Sequence, residues 1–562
     1  MKENLLNLVR SRQFLLLQII LFFFCLNYFF ANLNCRVDLS RSGRFQLTES
    51  TKKTLESVSD KLYLDAYYSE DIPAEYKARL DLLKETLKEI RNVDPSKVEL
   101  RFFDPDANPS DREKALELGI EPQTLQKVEL SSAQVKSAFL GISLRMGKET
   151  DVIPVAFFAE DLEYQILSTV KKMIRKTNRS GSGLGLLVED GSMDAPVPGP
   201  RSGKDSFGVF IHQVFAPEFG AVFPFGINDG PIPGDIRTLI IAGTPELTES
   251  GKYYLDQFIV RGGNCIILPK TMDFQLDPNS AALSPMTMGQ RGFAQTTQGI
   301  FDWGKFLEDY GILIEPNLLL DPENSMPMGP LVQMESGGFG RYHYPLWILA
   351  SKDSGNFKTE SPFLKDQEVL LFPWASALGI KEDVQPKVEK TVLIESAASA
   401  VKKVDYLHVG EREVFQMDLR PDGKNYPLLL ELKGKFQSRY SQGKLPPDVD
   451  PKSYRAGSES ESRIMVVGSP YIISDLLVLR EFREIYQSAN VPFFFNMIDI
   501  LQGDEDLVKA RSKKPVFETL KAFSEREQVF YSLLNILLVP IMIGLYAYFR
   551  MRARSLAKRR GR

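Results

Sequence analysis

The 562-residue chain has only three cysteines and three histidines. Cys25, Cys35 and Cys265 are too few and too scattered for a disulfide framework, so the folded parts must rely on an apolar core. His212, His343 and His408 lie far apart and lack a metal-binding spacing such as H-E-x-x-H. No P-loop occurs: Gly251-Lys252 is followed by Tyr253, and the upstream glycine position holds Glu246. Any ATP-driven work must therefore come from another chain. Gly181, Gly183 and Gly185 imitate part of a dinucleotide loop, but they precede a strand instead of following one and read as linker. A nucleophile elbow is also missing. Cys265, in GGNCIIL, follows a helix and opens a strand, as a core cysteine does. No catalytic, cofactor-binding or metal residue can be named from these patterns.

What is present is ordinary in bulk and unusual at the ends. Hydrophobic residues make up 43 % and charged residues 25 %, values of a globular chain, and the length calls for two to four folded units. Phe14–Leu33 (FLLLQIILFFFCLNYFFANL) and Val529–Phe549 (VFYSLLNILLVPIMIGLYAYF) carry no charge. Each matches the ~20 apolar residues that a helix needs to cross a bilayer. Lys2, Arg10 and Arg12 precede the first stretch. Arg550, Arg552, Arg554, Lys558, Arg559, Arg560 and Arg562 follow the second, without an acid among them. Basic flanks stay inside, so residues 1–13 and 550–562 are expected in the cytoplasm and the middle outside. That middle is acidic, which the formal net charge of −4 conceals. The basic tail is expected to meet lipid headgroups, not nucleic acid. No A-x-A-like site follows the first stretch, so an uncleaved anchor is expected.

Between the anchors, residues 37–178 read β-α-β-α-β-β-α after a first helix at Thr48–Ser59. The strands are Leu62–Ser69, Lys97–Asp104, Leu125–Leu130, Ala138–Met146 and Asp151–Phe158. The helices are Ala74–Arg91, Ser110–Leu118 and Asp161–Lys176. The order resembles a thioredoxin-like unit, with Ser69-Glu70-Asp71-Ile72-Pro73 where a redox member carries C-x-x-C. Residues 183–515 read as a Rossmann-like α/β domain. Strands are expected at Leu184–Val188, Phe219–Phe225, Ile236–Ala242, Asn264–Leu268 and Arg463–Val467. Thr248 caps a helix ended by Gly262-Gly263, and Val491–Gln502 forms a late apolar helix. Residues 280–460 are expected to be an insertion, with 270–345 long loops around a helix near Trp303–Tyr310, and Gly443–Ser462 polar and mobile. Glu189-Asp190 lie at a strand end, where α/β ligand sites form, although a solvated loop is the plainer reading.

Several stretches together carry a resemblance: LTESTKKTLESVSDKLYLDAYYS (Leu47–Ser69), VELRFFDPD (Val98–Asp106), PELTESGKYYLDQFIVRGGN (Pro245–Asn264), SRIMVVGSPYIISD (Ser462–Asp475) and FFFNMIDILQGDEDLVKARSKK (Phe493–Lys514). Their order, between two apolar spans, resembles the GldG-type auxiliary subunit of ABC transport systems linked to gliding motility. The resemblance implies a central domain similar to class I glutamine amidotransferases without their catalytic residues. It also implies a permease and an ATPase as partners. Family members often carry Gly-His-Gly-Glu after the first strand of that domain; this chain has Val188-Glu189-Asp190-Gly191.

The expectation is a non-enzymatic, cofactor-free auxiliary subunit in a bacterial inner membrane. Its large outer region would act as a scaffold or gate and contact an envelope partner. Two alternatives stay open: an envelope ligand-binding protein with a site near Glu189 or Gly243, and a divergent hydrolase that uses carboxylates.

Overall fold

The computed structural model describes residues 47–503, apart from short internal stretches of which 277–291 is the longest, and residues 537, 540, 544 and 546–552. The chain divides into two compact units, 1–513 and 514–562. The described residues of the second unit are helical and exposed, among them Leu537, Tyr546, Tyr548 and Phe549. Among the described residues no helix is long and apolar enough to cross a membrane. Phe14–Leu33 lies outside the described residues, and so does most of Val529–Phe549.

In the first unit the described residues open with α1 (Glu49–Ser57). Thr48 caps it by accepting the Thr51 N–H at 3.2 Å. Then follow β1 (Leu62–Tyr68), α2 (Ala74–Val93), β2 (Val98–Phe103) and α3 (Pro109–Glu117), which Asn108 caps and Pro109 starts. Next come β3 (Gln123–Glu129), β4 (Ser132–Ala138), β5 (Leu140–Met146), β6 (Glu149–Ile153) and α4 (Ala159–Thr177). The sheet order is β2-β1-β5-β6. β1 and β2 are parallel; β5 runs antiparallel to β1 and to β6. Leu80, Leu83, Leu87 and Ile90 of α2 and Ile166 and Val170 of α4 share a core with Leu64 and Leu144. Glu163 of α4 is buried and pins α1, accepting from the Thr48 N–H (2.7 Å) and the Thr51 hydroxyl (2.7 Å). β3 and β4 form a separate hairpin. Ser132–Ala138 is a strand that the sequence reading omits: SAQVKSA has low β propensity, and its pairing with β3 sets its conformation.

The second core is built on β7 (Leu184–Leu187), α5 (Ala216–Phe219), β8 (Phe223–Phe225), β9 (Thr238–Ala242), α6 (Glu249–Val260) and β10 (Asn264–Leu268). Phe219 belongs to α5, so the expected Phe219–Phe225 strand shrinks to its last three residues. A π-turn, Phe210–Phe215, leads into α5. Thr248 caps α6 by accepting the Gly251 N–H, and Gly262 follows at φ +97°.

Residues 270–345 are not mostly loop. They hold β11 (Met272–Leu276), β12 (Gly292–Thr296), α7 (Ile300–Glu308), β13 (Ile312–Ile314), β14 (Leu318–Leu320), β15 (Ser325–Gln333) and β16 (Phe339–Ser351). Further on lie β17 (Val369–Pro373), β18 (Leu378–Ile380), β19 (Val388–Glu395), β20 (Val401–Lys403), β21 (Leu407–His408) and β22 (Pro427–Gly434). β23 (Ser462–Val467), α8 (Arg480–Ile485) and α9 (Val491–Leu501) are the last of its described strands and α-helices.

The main sheet has the order β19-β22-β23-β10-β9-β7-β8. β8, β7, β9, β10 and β23 are parallel, as alternation with helices requires. β22 adds antiparallel to β23, and β19 adds antiparallel to β22. The sheet is therefore mixed, and residues 280–460 supply two of its strands instead of standing apart as an insertion. The polar stretch 443–462 is tied to α6: Gln257 exchanges hydrogen bonds with Arg455 N (2.7 Å) and O (3.1 Å).

Candidate functional site

The carboxyl ends of the parallel strands are the first place to look for a site. There β7 runs into Glu189-Asp190-Gly191-Ser192-Met193, which folds back across β9. Met193 N donates to Ala242 O (2.8 Å), Thr244 N to Gly191 O (2.9 Å) and Glu246 N to Asp190 O (2.7 Å). Ser192 and Gly243 form an antiparallel bridge. Two glycines allow this approach. Gly191 has φ +79°, and a Cβ there would sit 2.2 Å from the Thr244 carbonyl oxygen. Gly243 has φ +99°, with Gly191 O at 2.6 Å from a notional Cβ. The chain's own backbone fills the crevice in which a doubly wound sheet usually holds its ligand.

Glu189 is spent in this closure. Its Oε1 accepts from Ile227 N (2.5 Å) and Asn228 N (2.9 Å), so the carboxylate holds the loop after β8. Asn228 in turn accepts from Thr248 N (2.8 Å), joining that loop to the start of α6. Past β10, Lys270 pairs with Asp273 (2.5 Å) and Asp205 (3.6 Å), and buried Tyr471 donates to Asp205 (2.6 Å). Burial, with the Asp205 carboxylate beside it, holds the Tyr471 phenol well above its ordinary range.

Cys265 lies within β10, fully buried, and burial pushes its thiol far up. In a Cys25→Ser, Cys35→Ser background, a soluble maleimide is expected to leave Cys265 unmodified until the protein is denatured. Stoichiometric labelling under native conditions would mean that β10 is accessible. The three histidines stay on separate elements: His212 on the π-turn, His343 on β16 and His408 on β21. The His343 Nδ1 sits 2.7 Å from Ser325 O. Among the described residues no group of three or more His, Cys, Asp or Glu could hold a metal ion.

The sequence reading did not anticipate the cleft at the opposite, amino ends of β9 and β10. Its volume is about 920 Å³. Four distant segments line it: the Pro231–Arg237 loop, α6 with Arg261, the 448–453 stretch, and Leu501–Gly503 at the end of α9. Arg261 Nη2 donates to Ser453 O (2.8 Å), and the Tyr253 hydroxyl meets Ser453 Oγ (2.9 Å). Asn264, at the start of β10, donates to Leu501 O (2.6 Å) and accepts from Arg463 N (2.7 Å), so one side chain fixes the floor. No local pattern foretells this cleft, because its walls come together only in the fold.

An uncharacterized protein of Borreliella burgdorferi is 23 % identical over 521 residues, covering 92 % of each chain. No solved structure matches. Residues 41–145 match a domain of unknown function. Residues 216–502, from the start of α5 to the residue after α9, match the family described as ABC-type uncharacterized transport system, and the chain belongs to that family.

Proposed function

We propose that the chain is a non-enzymatic auxiliary subunit of an ABC transport complex. It would be anchored in the cytoplasmic membrane by Phe14–Leu33 and Val529–Phe549, with both termini inside and residues 37–515 outside. The match of residues 216–502 to the ABC transport family carries this reading. The closure of the strand ends supports it against the ligand-binding alternative, because Glu189 and Gly243 are committed to the chain's own backbone. The hydrolase alternative has no motif behind it, and nothing here favours it.

Two finer points belong to the same proposal. The order β2-β1-β5-β6, with β5 reversed, agrees with a thioredoxin-like unit. Buried Ser69, at the end of β1, accepts the Phe139 N–H where a redox member has a thiol. The five parallel strands of the main sheet agree with an amidotransferase-like core. The GldG type and the link to gliding rest on the resemblance of the quoted segments.

Such a subunit would work by presenting its outer folds to a permease whose ATPase supplies the energy, with lipid and an envelope partner as further contacts. Affinity isolation of the full-length chain in a mild detergent is expected to recover a permease and an ATPase. Recovery of neither, under conditions that keep other transporters intact, would sink the proposal.

A further inference from the structure

β2 is an edge of the first sheet. Among the described residues it pairs with β1 and with no other strand. Leu62 N donates to Lys97 O (2.8 Å), so the odd-numbered residues of β2 turn their N–H and C=O groups toward β1. Those of Val98, Leu100 and Phe102 point outward. Asp94 O takes the Val98 N–H (2.9 Å), which leaves the Val98 carbonyl and the N–H and C=O of Leu100 and Phe102 at the open edge. Edge strands are commonly blunted by proline or a bulge. β2 (VELRFF) has no proline, and its register with β1 runs unbroken. Phe102 is 40 % exposed on it.

The edge is complementary to itself. An antiparallel second copy centred on Leu100 sets Leu100 opposite its own copy, Val98 opposite Phe102, and Glu99 opposite Arg101. The outward backbone groups then fall at hydrogen-bonded pairs, and the two charges at the closer pairs between them. Arg101 already holds Asp65 (2.7 Å), and Glu99 holds Lys61 (2.7 Å). Across the joined sheets the signs therefore alternate: Asp65, Arg101, then Glu99 and Lys61 of the second copy. On the other face the exposed Phe102 gains Val98 as a neighbour. Moving the centre one residue either way sets Glu99 against Glu99 or Arg101 against Arg101, which like-charge repulsion disfavours.

We propose that β2 joins β2 of a second copy of this chain, so that the two sheets become one across a two-fold axis. The pairing does not depend on the transport role. Within a transport complex it would set two copies of the subunit side by side.

The test uses the full-length chain in a Cys25→Ser, Cys35→Ser background carrying Leu100→Cys. Mild oxidation is expected to give a disulfide-linked dimer, because opposite residues of a hydrogen-bonded pair lie ~5.5 Å apart at Cα, within disulfide reach. Phe301→Cys on α7, a position 74 % exposed, controls for random collision and is expected to stay monomeric. With Leu100→Cys kept, Glu99→Arg or Arg101→Glu alone places like charges opposite each other and is expected to lower the dimer at least about tenfold. Co-expressed under different tags, these two variants restore both opposite-sign pairs, and the mixed dimer is expected to return to near the parental yield. That rescue excludes misfolding as the cause of the loss. A monomer throughout, an equal dimer through Phe301→Cys, undiminished dimers of either charge variant, loss without rescue, or a crosslink to a different protein would each overturn the pairing.

Discussion

Replacing Asp256 by alanine is expected to cost the outer domain about 3–5 kcal/mol, the usual loss when a buried charged partner is removed from its donors. Asp256 lies on α6 with no exposed surface. Its Oδ1 accepts from the Tyr310 hydroxyl (2.6 Å) and Arg439 N (3.0 Å). Its Oδ2 accepts from Ser438 Oγ (2.6 Å) and Gln257 Nε2 (2.9 Å). One carboxylate thus joins α6, the turn after α7 and the chain after β22. Truncation strands the buried Tyr310 hydroxyl among Phe306 and Phe436. A denaturation midpoint shifted by less than about 1 kcal/mol equivalent, the worth of one ordinary hydrogen bond, would show that these elements are held by packing alone.

The same group gives a pH signature. Burial raises the Asp256 carboxyl above its ordinary 3.8, against the lowering effect of its hydrogen bonds. The folded state therefore binds this proton more tightly than the unfolded state does. The contribution is full below 3.8 and is lost as pH rises through the folded value. Relative to Asp256→Asn, the wild type should gain stability as pH falls toward 3.8, read from paired thermal scans. A constant difference across that range would contradict the assignment.

Gly191→Ala is the second large effect. The residue must keep a left-handed φ, which costs a side chain roughly 1–2 kcal/mol. Its Cβ would also overlap a backbone carbonyl that cannot rotate away, at 2.2 Å. Relief requires breaking the Thr244–Gly191 hydrogen bond and the Ser192–Gly243 bridge. About 3 kcal/mol in total is expected, measured as a shift in the unfolding midpoint. Gly230→Ala is the control: it has open space and is not left-handed, and it should be silent. Equal effects at the two positions would mean that the strand-end closure adds nothing to stability.

The parts of the fold visible in the sequence are those whose causes are local. α6 announces itself through Thr248, the apolar face of Leu255, Phe258 and Ile259, and the glycines after it. β10 and β23 show as apolar runs because both faces are covered, and the parallel pairing of β9 with β10 follows from α6 between them. The strands of 270–345 were illegible for the opposite reason, although the helix near Trp303 was not. β13 and β14 are three residues long and pair with β18 and β20, about 65 to 85 positions on. Proline and methionine in β15 hide a strand that the long β16 supports. Glu189 was visible as a residue but not in its role, since the N–H groups that occupy it belong to Ile227 and Asn228.

The place of β23 in the main sheet has a consequence for the order of assembly. This strand lies between β10 and β22, yet it is the last of the sheet in the chain. Until residue 467 has emerged, β10 and β22 each present a bare, apolar edge ready to pair with the wrong strand. The sheet therefore cannot close co-translationally in pieces: most of the chain must emerge before its middle is filled. A chain exported across a membrane, as proposed here, would need its unfinished edges shielded for nearly the whole of transit. A product truncated just before Ser462 should be a substrate for envelope proteases, not a smaller stable domain.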